Sequence, residues 1–110
     1  MIHASTIPLA TAEGRFFLSP DEIVRLEASS NYTKIFFANK KTLISAKVLK
    51  DFVTMLEPFG FLRIHRTHLV NRHHIHCVTS KGNIIMKDDS VAEISRRMKS
   101  GVMKILKTAA

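Results

Sequence analysis

The run of residues 59–72 threads six apolar side chains (Phe59, Phe61, Leu62, Ile64, Leu69, Val70) through Arg63, His65, Arg66, His68 and Arg72. Strand alternation sends Phe61 and Arg63 to one side and Leu62 and Ile64 to the other. The apolar pattern breaks at His65-Arg66-Thr67-His68 and resumes at Leu69-Val70. This spacing predicts a strand, a short basic tip and a return segment, so the fold must accommodate a hairpin with a cationic end. No carboxylate interrupts the run. Such a tip suits a polyanion, and the guanidinium fork of Arg66 matches either a phosphate or the two acceptors on a guanine edge.

The remaining segments are short and mostly of β period. Ile7-Pro8-Leu9 reads as an edge strand, because Pro removes a ladder donor. Arg15-Phe16-Phe17-Leu18 is a second strand behind the Glu13-Gly14 turn. At Ser19-Pro20-Asp21-Glu22 the expectation is a turn or a single helical turn, with Ser19 as cap and Pro20 first inside. From Ile23 to Ala28 alternation places Val24, Leu26 and Ala28 on one face. Tyr32 to Phe37 is rich in β-formers, and Asn39-Lys40-Lys41 turns it back into Thr42-Leu43-Ile44-Ser45.

The period then changes. Val48, Leu49, Phe52, Val53 and Leu56 follow helical spacing, read as a core-facing stripe, and Glu57-Pro58 marks the stop. Past Arg72, strands are expected over residues 75–78 and 83–86, and after the turn at Lys87-Asp88-Asp89-Ser90 the run Val91-Ala92-Glu93-Ile94 gives two inward positions. Met98, Val102, Ile105 and Leu106 suggest a C-terminal helix, which Gly101 weakens by ~1 kcal/mol against Ala. The Asn71 amide is expected to tie the turn after Val70 to neighbouring backbone. The fold class is mostly β (a β-rich α+β arrangement), with one short internal helix and a second at the C-terminus. The expected boundaries are a linker over residues 1–6, a domain over 7–106 and a tail over 107–110.

At 110 residues this is one domain, large enough for a single core. Seventeen Lys and Arg against nine Asp and Glu leave a net charge of +8. That balance favours nucleic acid or an anionic surface. A single cysteine, Cys77, forms no internal disulfide and fits a reducing compartment. No apolar run approaches the ~20 residues of a spanning helix, and no signal peptide is visible. The expected setting is cytoplasmic, with no membrane partner.

Three polar clusters carry chemistry. Asn31, Tyr32, Thr33 and Lys34 enter a strand from the Ser29-Ser30 turn; hydroxyls, amides and ammonium groups there contact phosphates or base edges. The second cluster is the tip with Arg72 and His73. The third is Ser95-Arg96-Arg97 with Lys99, at a strand-to-helix junction. Each has a plain alternative as a solvated loop or wet helix face, and the hypothesis is that all three converge on one edge.

Zinc is tempting at His65, His68, His73, His74, His76 and Cys77, but no Cys pair or His-Glu-x-x-His spacing occurs. Neither a metal nor a cofactor is expected. With no Gly-rich phosphate loop or nucleophile elbow, and with Asp88-Asp89 adjacent in a turn, no catalytic residue is expected either.

The run from Phe61 to Asn71 (FLRIHRTHLVN) resembles the signature of the LytTR family of DNA-binding domains, output domains of LytR/AlgR-like bacterial response regulators. Residues 19–28 are similar to the family's opening strand and residues 31–35 to the next one. Leu49 to Leu56 falls at its helix, and Ile94-Ser-Arg-Arg97 at its last strand motif. The resemblance implies small antiparallel sheets instead of a helix-turn-helix. It further implies sequence-specific binding of double-stranded DNA by loops in the major groove, within a two-component system of transcription regulation. Carried over residue by residue, it puts base contacts at Thr33, Arg66 and Arg96. Phosphate or supporting contacts fall at Asn31, Tyr32, Lys34, His65, His68 and Arg97. Repeated sites in a promoter, two copies on DNA as a homodimer, and an upstream receiver or sensor domain are also implied. The competing expectation is a basic β-rich interaction or RNA-binding module without sequence readout.

Overall fold

The computed structural model describes residues 6–108. The expected linker therefore falls, except for Thr6, outside the described residues, as do residues 109 and 110 of the expected tail. A hairpin of β1 (Ile7–Thr11) and β2 (Gly14–Leu18) opens the fold. Next come β3 (Ile23–Ser29), β4 (Tyr32–Phe37), β5 (Thr42–Ser45) and helix α1 (Leu49–Leu56). The chain continues through β6 (Phe61–His65) and β7 (His68–Asn71). It ends with β8 (Ile75–Val78), β9 (Asn83–Met86), β10 (Val91–Glu93) and helix α2 (Lys99–Thr108). The expected β-rich α+β class is the observed one.

The central sheet has the order β5-β4-β3-β7-β6, and β10-β9-β8 form a second, three-stranded sheet. All described pairs are antiparallel. The central sheet is covered on one face along its length and on the other over β3, β7 and β6, while Ile44 of β5 stays exposed there. On one, Leu26, Ile35, Leu43 and Leu69 pack against Leu49, Phe52 and Leu56 of α1, with Leu9 and Leu18 of the hairpin alongside. On the other, Val24, Ile64 and Val70 meet Ile84, Met86 and Ala92 of the second sheet and Val102 of α2. Each of these side chains larger than alanine contributes ~1.5–3 kcal/mol on burial.

Alternation fails at one place. A bulge between Ile23 and Arg25 in β3 puts an extra residue against β4, so Val24 joins the second core while Leu26 stays in the first. The expectation that Val24, Leu26 and Ala28 share a face is thereby corrected, since a bulge shifts the alternation by one residue. Two smaller corrections concern caps. Pro20–Glu22 is a 3-10 turn, and the Ser19 side chain makes no capping bond. Val48 precedes α1 and lies exposed, so the helical stripe begins at Leu49. Gly60 ends the 3-10 turn after α1 in the left-handed region, with φ of 88°, a conformation that sets the entry into β6.

Arg25 fastens the two sheets. Its Nε donates to Ser90 Oγ at 3.0 Å, its Nη1 meets Glu27 Oε1 at 2.9 Å, and its guanidinium lies 3.9 Å from the Phe36 ring centre. Ser90 in turn bonds through its N–H and hydroxyl to Asp88 Oδ1. Burial alone would raise the Asp88 carboxyl, but the Ser90 bonds, with Lys40 and Arg25 nearby, hold it below the ordinary carboxylate value. This fastening fixes where the chain beyond β10 meets the central sheet.

Candidate nucleic-acid interface

Register places the three polar clusters at one end of the central sheet. Thr33 pairs with Ser45 on one side and Ala28 on the other, while Glu27 pairs with His68, and His68 with His65. The tip between β6 and β7 is the pair Arg66-Thr67. Its Thr67 carbonyl accepts from the Ala28 N–H at 2.9 Å. At the far side, the Ser95 N–H donates to the Ile64 carbonyl at 2.8 Å and draws the junction before α2 against β6. Residues 31–34, the tip and residues 95–97 thus border the same edge.

Two clefts join there. Arg63, His65 and Arg66 line one of about 690 Å³ together with Ser95 and Arg97. His65, Lys81, Arg96 and Lys99 line a neighbour of about 370 Å³, into which Glu93 also projects. His65 forms part of both walls.

The arginines divide by commitment. Arg25 is bound as described. Arg63 donates from Nη2 to the Arg66 carbonyl at 2.6 Å and from Nε to the His65 carbonyl at 3.4 Å, so it clamps the backbone of the tip. The side chains of Arg66, Arg96 and Arg97 are exposed and make no bond or ion pair to another described residue. Their donors face solvent, where an anion or a base edge can be met.

A family model described as the LytTr DNA-binding domain matches residues 13–107. The chain belongs to the LytTR family. It is thus a DNA-binding domain of the kind used in transcription regulation, and that family is not a catalytic one. Among solved structures it is similar to a LytTr DNA-binding domain from Bacillus cereus, whose parent protein is described as a methyl-accepting/DNA response regulator. Identity is 21%, the match covers 96% of this chain and 98% of that one, and the TM-score is 0.75. This likeness speaks for the fold. No curated protein matches the chain. No helix of the described residues is long and apolar enough to cross a membrane.

Not every expected contact residue of this LytTR domain is available. Thr33 is fully buried, and its hydroxyl donates to the Lys47 carbonyl at 2.7 Å. It faces the α1 side of the sheet beside Ile35 and Leu43, so it holds the β4–β5 end in shape instead of reaching a base. Asn31 and Tyr32 are exposed. Lys34 is half-buried, with Nζ 5.2 Å from the Phe36 ring centre.

Sequence reasoning missed the roles of Arg63 and Thr67. It also missed two carboxylates that the fold brings to the basic tip: Glu27 Oε1 lies 3.8 Å from His68 Nδ1, and Glu93 Oε1 lies 3.9 Å from His65 Nε2. The histidines, dense in sequence, take different partners. His74 Nε2 bonds the Asp21 carbonyl at 2.8 Å, and His65 turns to Thr67.

His68 sits behind the tip. Its Nδ1 is buried without a hydrogen-bond partner, since Glu27 stops short of bonding distance. Burial pushes the imidazole below its ordinary value and outweighs the attraction of Glu27. A histidine shifted down stabilises the fold fully above its unfolded value of about 6.5, and that contribution disappears as pH falls through the lower folded value. Urea midpoints are therefore expected to decline on acidification below about pH 6.5. His68→Gln should flatten that decline. An identical decline in the variant would assign the acid sensitivity to other groups.

Proposed function

We propose that this domain reads specific double-stranded DNA sequences through the major groove, as the output domain of a bacterial response regulator in a two-component system. The observation that carries the reading is the division among the arginines. Arg25 and Arg63 are committed to the protein, whereas Arg66, Arg96 and Arg97 stand exposed around adjoining clefts at one sheet end. Arg66 on the tip and Arg96 at the junction bond base edges, with Arg97 on the phosphates beside them.

Dimensions support dividing the contacts in this way. From β4 to β6 is three strand spacings, about 14 Å at ~4.8 Å each, against a major groove about 12 Å wide. With the tip in the groove, Asn31, Tyr32 and Lys34 come to the phosphates along its wall. Repeated half-sites and two copies of the domain on one promoter belong to the same proposal, as does an upstream receiver or sensor domain.

The test is selection from random duplex DNA, followed by titration of enriched and random pools at two salt concentrations. A recurrent motif with an affinity gap over random DNA is the expected result. Binding with a steep salt slope and no motif means that only phosphates are held, and a basic module without readout, for RNA or another polyanion, is then the function. Lys34→Ala separates the two kinds of contact within the protein. It should weaken all sequences alike and reduce the salt slope by about one. A sequence-dependent loss would move Lys34 from the phosphates to a base edge.

A further inference from the structure

We propose that His65 is the positioning residue of the reading tip, and that its neutral imidazole makes the aim of Arg66 sensitive to acid. Nδ1 of His65 lies 3.1 Å from the Thr67 N–H and 2.9 Å from Thr67 Oγ1. A backbone N–H only donates, so Nδ1 presents its lone pair and the ring carries its proton on Nε2, the atom facing Glu93. The Thr67 carbonyl is held separately by Ala28, and the Arg66 carbonyl by Arg63. Arg66 has no side-chain partner of its own among the described residues, so the backbone on either side of it sets its direction.

A proton on Nδ1 turns the acceptor into a donor. Two donors, Nδ1–H and the Thr67 N–H, then face each other across 3.1 Å and that bond is lost, while the Thr67 hydroxyl must turn its lone pair to the ring. The new charge arises among Arg63 on the same strand, the His68 ring 5.2 Å away on β7, and Glu93 on β10. Glu27 of β3 stands behind His68, and Lys81, Arg96 and Lys99 share one cleft wall with His65. Arg66 and Arg97 line the other cleft. Burial pushes the His68 imidazole below its ordinary value, and imidazole is the side chain whose unperturbed charge change lies between about pH 5 and 8. The added positive charge strengthens attraction to any DNA, while the released tip loses its reading geometry. Acid therefore lowers discrimination between sequences without lowering affinity for random DNA.

The bond from an acceptor to the N–H two residues on is one that this chain also builds with asparagine. Asn39 Oδ1 accepts from the Lys41 N–H at 2.9 Å, and Asn71 Oδ1 from the His73 N–H at 3.0 Å. His65→Asn supplies the same acceptor without a titrating group. His65→Leu supplies none.

The inference rests on the DNA reading proposed above, so its test has one arm without DNA. In the free protein, ring nitrogen shifts of His65 and the amide shift of Thr67 are followed from about pH 8 to about pH 5. The expected result is a neutral ring protonated at Nε2 at the upper limit, and a Thr67 amide that moves with the His65 titration. A Thr67 amide indifferent to that titration overturns the proposal whatever the DNA does. In the second arm, the ratio of specific to random affinity should fall about tenfold for the wild type over that range, as expected for losing a hydrogen-bonded geometry. His65→Leu should show the low ratio at every pH. His65→Asn should recover most of what the Leu variant loses and show no pH dependence. A ratio for His65→Asn that falls with acid as the wild type's does also overturns the assignment. A chain that selects no motif at all refutes the DNA reading instead, and the free-protein arm still decides whether His65 holds the tip.

Discussion

Arg66→Ala is expected to weaken binding to the selected site by ~1–3 kcal/mol, roughly 5- to 150-fold, and to relax preference at one base position. The size follows from what the side chain leaves behind. Its guanidinium is exposed and bonds no described residue, so its removal breaks nothing inside the protein. Arg63 bonds the Arg66 carbonyl, and His65 and Ala28 hold Thr67; all of these contacts survive truncation at position 66. Thermal stability should therefore stay within the ±0.5 kcal/mol usual for surface changes, and any loss on DNA belongs to the missing donors. Arg66→Lys sharpens the test, because an ammonium restores the charge but not the fork. It should recover affinity for random DNA more fully than discrimination. Equal losses on specific and random duplexes for Arg66→Ala would show that position 66 holds a phosphate. Arg63→Ala should differ in kind. It takes a clamp from the tip while leaving the Arg66 donors present, and discrimination suffers through geometry.

The contrast between Arg63 and Arg66 also marks how far the amino-acid sequence can be read. Both lie in one basic run, and composition treats them alike. Alternation places Arg63 on a strand and Arg66 beyond its end, and that much was legible. That Arg63 curls back onto the carbonyls of its own tip depends on backbone geometry no pattern encodes. Thr33 is the opposite case, because the signal was present. It shares strand parity with Ile35, and the helical stripe of Leu49, Phe52 and Leu56 needed a covered sheet face. Its neighbours Asn31, Tyr32 and Lys34 and the family pattern argued for exposure, yet parity prevailed. Helix α1 and the strand order along the chain followed from period alone, since helical and strand repeats differ so widely. The bulge at Ile23 to Arg25 did not, and neither did the bond from Arg25 to Ser90 across 65 positions. A bulge changes parity without changing composition, and a distant partner leaves no local trace.

Asn71→Ala should cost about 2–4 kcal/mol of stability, a loss of roughly 10–25 °C in Tm for a domain of this size. Asn71 is nearly fully buried at the end of β7 opposite the tip. Its Nδ2 donates to the Ile23 carbonyl at 2.9 Å and to the Pro20 carbonyl at 3.3 Å, and its Oδ1 accepts from the His73 N–H at 3.0 Å. Alanine leaves the buried Ile23 carbonyl and the His73 N–H to find other partners, and takes from the Pro20 carbonyl the second of its donors beside the Ile23 N–H; leaving buried groups unpaired is what makes the change severe. Asn71→Asp isolates the donor half. A carboxylate keeps the bond to His73 but sets negative charge against two carbonyl oxygens, so it should be at least as damaging as alanine. A variant that keeps its melting temperature within about 3 °C would mean that backbone or water replaces the amide readily. Folded Asn71→Ala protein, assayed well below its Tm, should still discriminate between duplexes as the wild type does. The amide ties β7 to the turn before β3 at the far end of the sheet, and the tip is held by His65, Arg63 and Ala28 without it.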